Sequence, residues 1–173
     1  MAHKFNTPRL TVLEANNQLE TLDLESIYSR VIEILSPVVV TQLPPYFSGI
    51  QTREDAKRWF ERMLNESHLF LVYHKISQHL IGFSFISLAE TKSEIQAAHL
   101  GYLLAQNTWG QGLASELICA LITHCKTQNL TDTLIAGVDE SNLASIALLK
   151  KLGFIQDKSD IPANLFFHYD LKI

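Results

Sequence analysis

The segment Leu100-Gly101-Tyr102-Leu103-Leu104-Ala105-Gln106-Asn107-Thr108-Trp109-Gly110-Gln111-Gly112-Leu113-Ala114-Ser115-Glu116 constrains this chain more than any other. A strand-like run from Ile95 to Ala105 gives way, across two glycines, to a helical pattern from Gly112 to Thr127. Leu113, Leu117, Ala120, Leu121 and His124 fall on or near one face of that helix. A strand that turns so sharply into a helix leaves the first helical amides without intrahelical acceptors. The macrodipole adds roughly half a positive charge at the same place. Gly110 and Gly112 permit the tight turn and let an anion come close, because no Cβ stands in the way. The segment therefore predicts a polyphosphate site made of backbone.

Charge makes that backbone route necessary. The formal net charge is −4, and the longest run of Lys or Arg is Lys150-Lys151. A nucleic-acid partner would need a local basic cluster, so none is expected. Two familiar phosphate motifs also fail. A P-loop, G-x-x-x-x-G-K-S/T, needs a lysine, and the residues after Gly112 are Leu113-Ala114. A dinucleotide fingerprint, G-x-G-x-x-G, would need glycine where Ser115 stands, and the segment lies mid-chain rather than in a first βαβ unit.

The 173 residues predict one domain spanning 1–173, large enough to bury roughly 70% of its unfolded surface. With 47% apolar and 18% charged residues the chain is not intrinsically disordered. Cys119 and Cys125 match neither a disulfide framework nor a metal pattern and read as small buried hydrophobes. His68, His74, His79 and His99 fall in strand regions without trustworthy metal spacing, so no metal is expected. Met1 to Thr11 lacks a signal-peptide core, and no 18-residue apolar stretch exists. The expectation is a cytoplasmic protein without a membrane partner.

Around this segment the elements follow from periodicity. Arg9–Ala15 alternates as a strand, with Leu10 and Val12 on one side. Leu24–Leu35 is an amphipathic helix stopped by Ser36-Pro37, and Val38–Ile50 reads as irregular. Thr52 with Asp55 resembles a helix N-cap, opening a helix to about Asn65 that buries Trp59, Phe60, Met63 and Leu64. Leu69–His74 and Leu80–Ala89 form a hairpin through Lys75–Gln78. After the central helix come a strand at Thr133–Val138, a helix at Asn142–Lys151 closed by Gly153-Phe154, a short strand at Phe154–Gln156 and a closing strand at Ala163–Leu171. The order β-α-α-β-β-β-α-β-α-β predicts a mixed α/β (α+β) layer with helices on both sheet faces.

Three stretches resemble one family. Gly112 and Ala114 match motif A of the GNAT acyl-CoA N-acyltransferases, Gln/Arg-x-x-Gly-x-Gly/Ala, while Trp109 departs from its first position. Trp109 through Glu116 fits W-G-x-G-x-A-S/T-E, the form common in the RimJ/RimL-like branch. Asp139–Ile146 with Lys151–Phe154 is similar to the family's strand, Asn, helix, Leu-Gly-Phe segment, and Thr7–Leu10 resembles its first strand. The resemblance implies a single GNAT fold, with a mostly antiparallel mixed sheet that splays into a V beside motif A. It implies that amides of Gln111 to Ala114, flanked by Trp109, Gly110, Gly112 and Leu113, hold the pyrophosphate of acetyl-CoA or CoA. Main-chain groups of Tyr102, Leu103 and Leu104 would pair with the pantetheine arm, and Asn142 would face it.

The chemistry implied is acetyl transfer to a primary amine by direct attack in a ternary complex. The favoured acceptor is a protein N-terminal α-amine, in a monomer or homodimer. A primary amine is mostly protonated at neutral pH, so a base is needed. Many related enzymes carry Glu where His99 stands; Glu90, Glu94 and His168 are weaker candidates by position. The family's common acid, a Tyr seven residues after the Asn, is Leu149 here, and in the resembling branch Ser145 takes that role. Pro44-Pro45-Tyr46-Phe47 is a candidate flap over the acceptor. Transfer to a small amine, such as a polyamine or amino sugar, and a non-catalytic acyl-CoA-binding module are the alternatives.

Overall fold

The computed structural model describes residues 4–89, 96–158 and 161–172. Eight strands form one sheet: β1 (Lys4–Asn6), β2 (Leu10–Glu14), β3 (His68–His74), β4 (Leu80–Leu88), β5 (Ala97–Leu104), β6 (Thr133–Asp139), β7 (Ile155–Gln156) and β8 (Asn164–Asp170). Their order across the sheet is β1-β2-β3-β4-β5-β6-β8-β7. Among the described residues only β5 and β6 run parallel. The helices are α1 (Leu24–Ile34), α2 (Pro37–Val40), α3 (Arg53–Glu66), α4 (Leu113–Gln128) and α5 (Leu143–Lys151). This is the mixed, mostly antiparallel α/β architecture expected.

Local chemistry sets the helix ends. Thr52 and Asp55 close a capping box at the start of α3, as their spacing predicts. Gly153 ends α5 at φ +92°, with Phe154 N–H donating 3.0 Å to the Leu149 carbonyl and the Phe154 ring buried beneath. Three expectations need correction. Thr7–Leu10, likened to a first strand, is the turn into β2 up to Arg9, and the first strand is Lys4–Asn6, paired with Thr11–Leu13 and too short for periodicity to reveal. Pro37, read as part of a helix stop, starts the short α2, which runs to Val40 inside the stretch read as irregular. Cys119 is exposed, whereas Cys125 is buried; a helix period places the two on different faces.

The helices cover both sheet faces, making two cores. One packs α4 and α5 against strand residues such as Leu10, Val72, Leu100, Leu134 and Phe167. The other packs α1 and α3 against Leu69, Leu71, Phe83, Phe85 and Leu103, with Trp59 and Phe60 buried in it. Gly82 of β4 lets the central strands close, since a Cβ there would meet the Leu103 carbonyl oxygen at 2.4 Å.

The register positions the site. β5 pairs with β6 through Ala97, Ala98 and His99, opposite Thr133, Leu134 and Ile135. Beyond His99 that pairing stops, while β4 still pairs with β5 as far as Leu104 and β6 pairs with β8 as far as Asp139. The two strands diverge, and from Leu100 to Leu104 the β6-facing edge of β5 has no strand partner. This is the V expected beside the glycine turn.

Candidate active site

The turn after β5 has the geometry of an anion cradle. Gly112 caps α4 at φ +75°, and Gly110 lies at φ +70°; both are left-handed conformations that favour glycine. Among the described residues, the amides of Gly110, Gln111, Gly112, Leu113, Ala114 and Ser115 have no protein acceptor. A Cβ on Gly110 would meet nothing within 4 Å. The space in front of these amides is a cavity of about 400 Å³. Its wall includes Tyr102, Leu103, Leu104, Trp109, Gly110, Gly112, Leu113, Ala114, Asn142 and Ser145.

The loop is held from behind by groups that periodicity does not flag. The Glu116 carboxylate accepts from the Thr7 hydroxyl, from Arg9 N–H at 2.7 Å and from Arg9 Nε at 2.7 Å. Arg9 Nη1 then donates 2.8 Å to the Gln111 carbonyl. Gln111 is the one loop residue of the expected set that is off the cavity wall; its side chain turns to the Asn107 carbonyl. Burial pushes the Glu116 carboxyl up, but these hydrogen bonds and the Arg9 charge outweigh it and hold it below the usual range. Trp109, half exposed, is pinned by its indole N–H donating 2.8 Å to the Leu104 carbonyl.

A second cavity of about 300 Å³ opens on the other side of the V. His99, Phe85, Ser87, Met63, Glu66 and Asp139 are among its lining residues. Pro44, Tyr46 and Phe47, the expected flap, line it too. The two cavities share Gln42, Leu43, Tyr102, Leu103, Asn142 and Ser145. Gln42, in the stretch read as irregular, also donates 3.2 Å to the Ser141 hydroxyl across the mouth. Only the length of that stretch hinted at such a role.

The remaining candidates separate clearly. Asn142 is the N-cap of α5, its side chain accepting from Ser145 N–H at 3.1 Å, which fixes both residues at the shared wall. His99 is exposed on β5 within the second cavity. His168 pairs with Asp157 at 2.6 Å and lines neither cavity. Leu149 is fully buried in the core. Glu90 and Glu94 lie outside the described residues.

Comparison with known proteins agrees with this geometry. Residues 17–155 match the family model described as an acetyltransferase (GNAT) domain. The chain belongs to the GNAT acetyltransferases and is accordingly an N-acetyltransferase with acetyl-CoA as donor. It is 28% identical over 149 residues to the "Uncharacterized N-acetyltransferase p20" of Bacillus licheniformis, covering 86% of this chain and 80% of that protein. Its fold is similar to a RimL ribosomal L7/L12 α-N-protein acetyltransferase in complex with coenzyme A, with TM-score 0.74, 14% identity and 95% of each chain covered. It is also similar to the ribosomal-protein-S5-alanine acetyltransferase from Vibrio fischeri, with TM-score 0.73, 17% identity, and 98% of this chain and 97% of that one covered.

Proposed function

We propose that this enzyme acetylates a protein N-terminal α-amine, as a member of the RimJ/RimL-like branch, with the donor in the first cavity and the acceptor in the second. The observation that carries the reading is the shared wall: two cavities meet at Tyr102, Asn142 and Ser145, inside the V between β5 and β6. The Trp109–Glu116 pattern and the likeness to two ribosomal-protein acetyltransferases support the branch.

The residues present fit coenzyme A. The unpaired amides from Gly110 to Ser115 bind the pyrophosphate, with the α4 macrodipole behind them. The unpaired edge of β5 at Tyr102 to Leu104 receives the amide-rich pantetheine as an added strand. Bound there, the donor supplies an activated acetyl group. His99 takes the surplus proton from the amine, directly or through a water. Ser145 faces the departing sulfur. Neither cavity is lined by a cysteine among the described residues, which favours direct attack over an acetyl-cysteine intermediate.

The acceptor wall favours an amine with no carboxylate beside it. It carries aromatic rings, Asp139 and Glu66, and no Lys or Arg among the described lining residues; Glu66 is paired with Arg62 from α3. The Ser141 hydroxyl and backbone N–H hold the Asp139 carboxyl below its usual range, so it stays charged. A protein N-terminus meets this requirement because its carboxyl is an amide, and a free amino acid does not.

The test is initial-rate kinetics with acetyl-CoA against short peptides with free N-termini, polyamines, amino sugars and free amino acids. Turnover of peptides with intersecting double-reciprocal lines is expected. Preference for polyamines or amino sugars would overturn the acceptor assignment. Parallel lines would overturn direct attack.

A further inference from the structure

Tyr102 holds the one polar atom of the shared wall that is buried and unsatisfied. It lines both cavities, its ring packs on the core beneath α5, and its hydroxyl has no water access. Among the described residues that hydroxyl closes no full hydrogen bond. A buried phenol without a partner is costly, so its place at a reaction centre calls for an explanation. Its polar neighbour is Ser145, whose side chain is near enough to favour the ionised phenol, though burial dominates and pushes the Tyr102 phenol up. Ser145 in turn is fixed by Asn142, which accepts from its N–H.

Resting on the donor assignment above, we propose that Tyr102 is a positioning residue for Ser145. The phenol, on the cavity wall that the two residues share, donates its O–H to Ser145 Oγ when the donor is in place. That donation occupies one lone pair of the serine oxygen and leaves its own proton free to point toward the sulfur. It also polarises the serine O–H, which is otherwise a weak hydrogen-bond donor. The place filled by a catalytic tyrosine in many relatives is Leu149 in this chain, so the phenol on the shared wall comes from β5 instead.

The proton balance is simple. The amine attacks the carbonyl carbon, a C–N bond forms and the C–S bond breaks, with its electron pair going to sulfur. Tyr102 and Ser145 each keep their proton and donate hydrogen bonds only, because a buried phenol is less acidic than a thiol of pKa about 8.5. The proton that converts thiolate to thiol is the one the amine gives up.

The experiment is a binding cycle that needs no acceptor: titration calorimetry of the wild type, Tyr102→Phe, Ser145→Ala and the double variant with CoA and with desulfo-CoA, which lacks the thiol, at pH 7 and pH 9. Wild type is expected to bind CoA about five- to tenfold more tightly than desulfo-CoA, the preference growing at pH 9 as the thiolate forms. Ser145→Ala should abolish the preference. Tyr102→Phe should reduce it to about twofold or less, with no further change in the double variant. Phe keeps the ring and removes an unsatisfied hydroxyl, so the melting point of the variant should equal or exceed that of the wild type. A full preference retained in Tyr102→Phe, or equal effects of that change with and without Ser145, would overturn the proposal. Failure of wild type to bind either ligand would instead overturn the donor assignment beneath it.

Discussion

Glu116→Gln isolates the support of the donor loop. The glutamate side chain is 14% exposed and Arg9 44%. Gln keeps an oxygen for the Thr7 hydroxyl and Arg9 N–H, but turns an amide N–H toward Arg9 Nε, donor against donor. One charge-assisted hydrogen bond is lost, at about 1.5–3 kcal/mol, and two more become neutral and weaker. Arg9 is nearly half exposed and regains water, so the net cost is discounted to about 2–3 kcal/mol. For a domain of this size that is a fall in Tm of about 4–12 °C.

The pH dependence follows in sign. The folded carboxyl titrates below its ordinary value. Its contribution is therefore present above the unfolded pKa of about 4.3 and disappears as pH falls through the folded value. Wild type and variant should differ by a constant amount from pH 6 to 8 and converge in the acid limb. The same clamp holds Gln111 through Arg9, so a freed loop must be ordered again on binding, and CoA affinity should fall about tenfold, or about 1.4 kcal/mol. Thermal melts and CoA titrations read both effects. A melting point within 1 °C of wild type together with unchanged CoA affinity would refute the reasoning; a lower melting point with unchanged affinity would confine the clamp to stability.

Gly112→Glu should abolish CoA binding, by more than about a hundredfold, because it puts bulk and negative charge before the free amides; calorimetry with unchanged affinity would remove the loop from the site. His99→Ala should lower kcat by about two orders of magnitude while CoA affinity stays within twofold, and the deficit should shrink at high pH where the amine is already neutral. A wild-type pH profile in that variant would exclude His99 as base. Gly82→Ala should cost about 1–3 kcal/mol, since the new Cβ would sit 2.4 Å from the Leu103 carbonyl oxygen; a melt within 1 °C of wild type would show that β5 yields freely. His68 Nδ1–H donates to the Glu14 carboxylate at 2.7 Å, and that contact raises the imidazole pKa against burial. Its contribution is present below pH 6.5 and is lost as pH rises through the folded value, so His68→Gln and wild type should converge above that value in melts taken across pH.

The amide cradle at the glycine turn was legible because it is local. A cradle of consecutive amides needs only a strand, two glycines and a helix start, all within Leu100 to Glu116, and each has a sequence signature. The helix caps at Thr52 and Gly153 were legible for the same reason. What could not be read is non-local. Nothing in the spacing of Thr7, Arg9 and Glu116 shows a contact spanning more than a hundred residues. Gln42 reaching Ser141 is hidden likewise, and so is Gly82, whose need for no side chain comes from a neighbouring strand.

Position 149 shows why a family pattern must be read through the fold. Ser145 and Leu149 are one turn apart on the same stripe of α5. That stripe runs from the open V at its N-terminal end into the core at its other end: Ser145 lines both cavities, and Leu149 is fully buried. A tyrosine at 149 would need its phenol to reach back along the helix to the cavity. The leucine instead closes the core under the helix, and Phe154 packs into that same core after the glycine turn. In the proposed mechanism, polar help at the sulfur then comes from Ser145 or from across the V. The residue across the V with a buried hydroxyl is Tyr102, on the strand edge that β6 abandons after His99. In the proposed mechanism the splay after His99 thus also opens the place from which Tyr102, a strand residue, stands in for one missing from the helix.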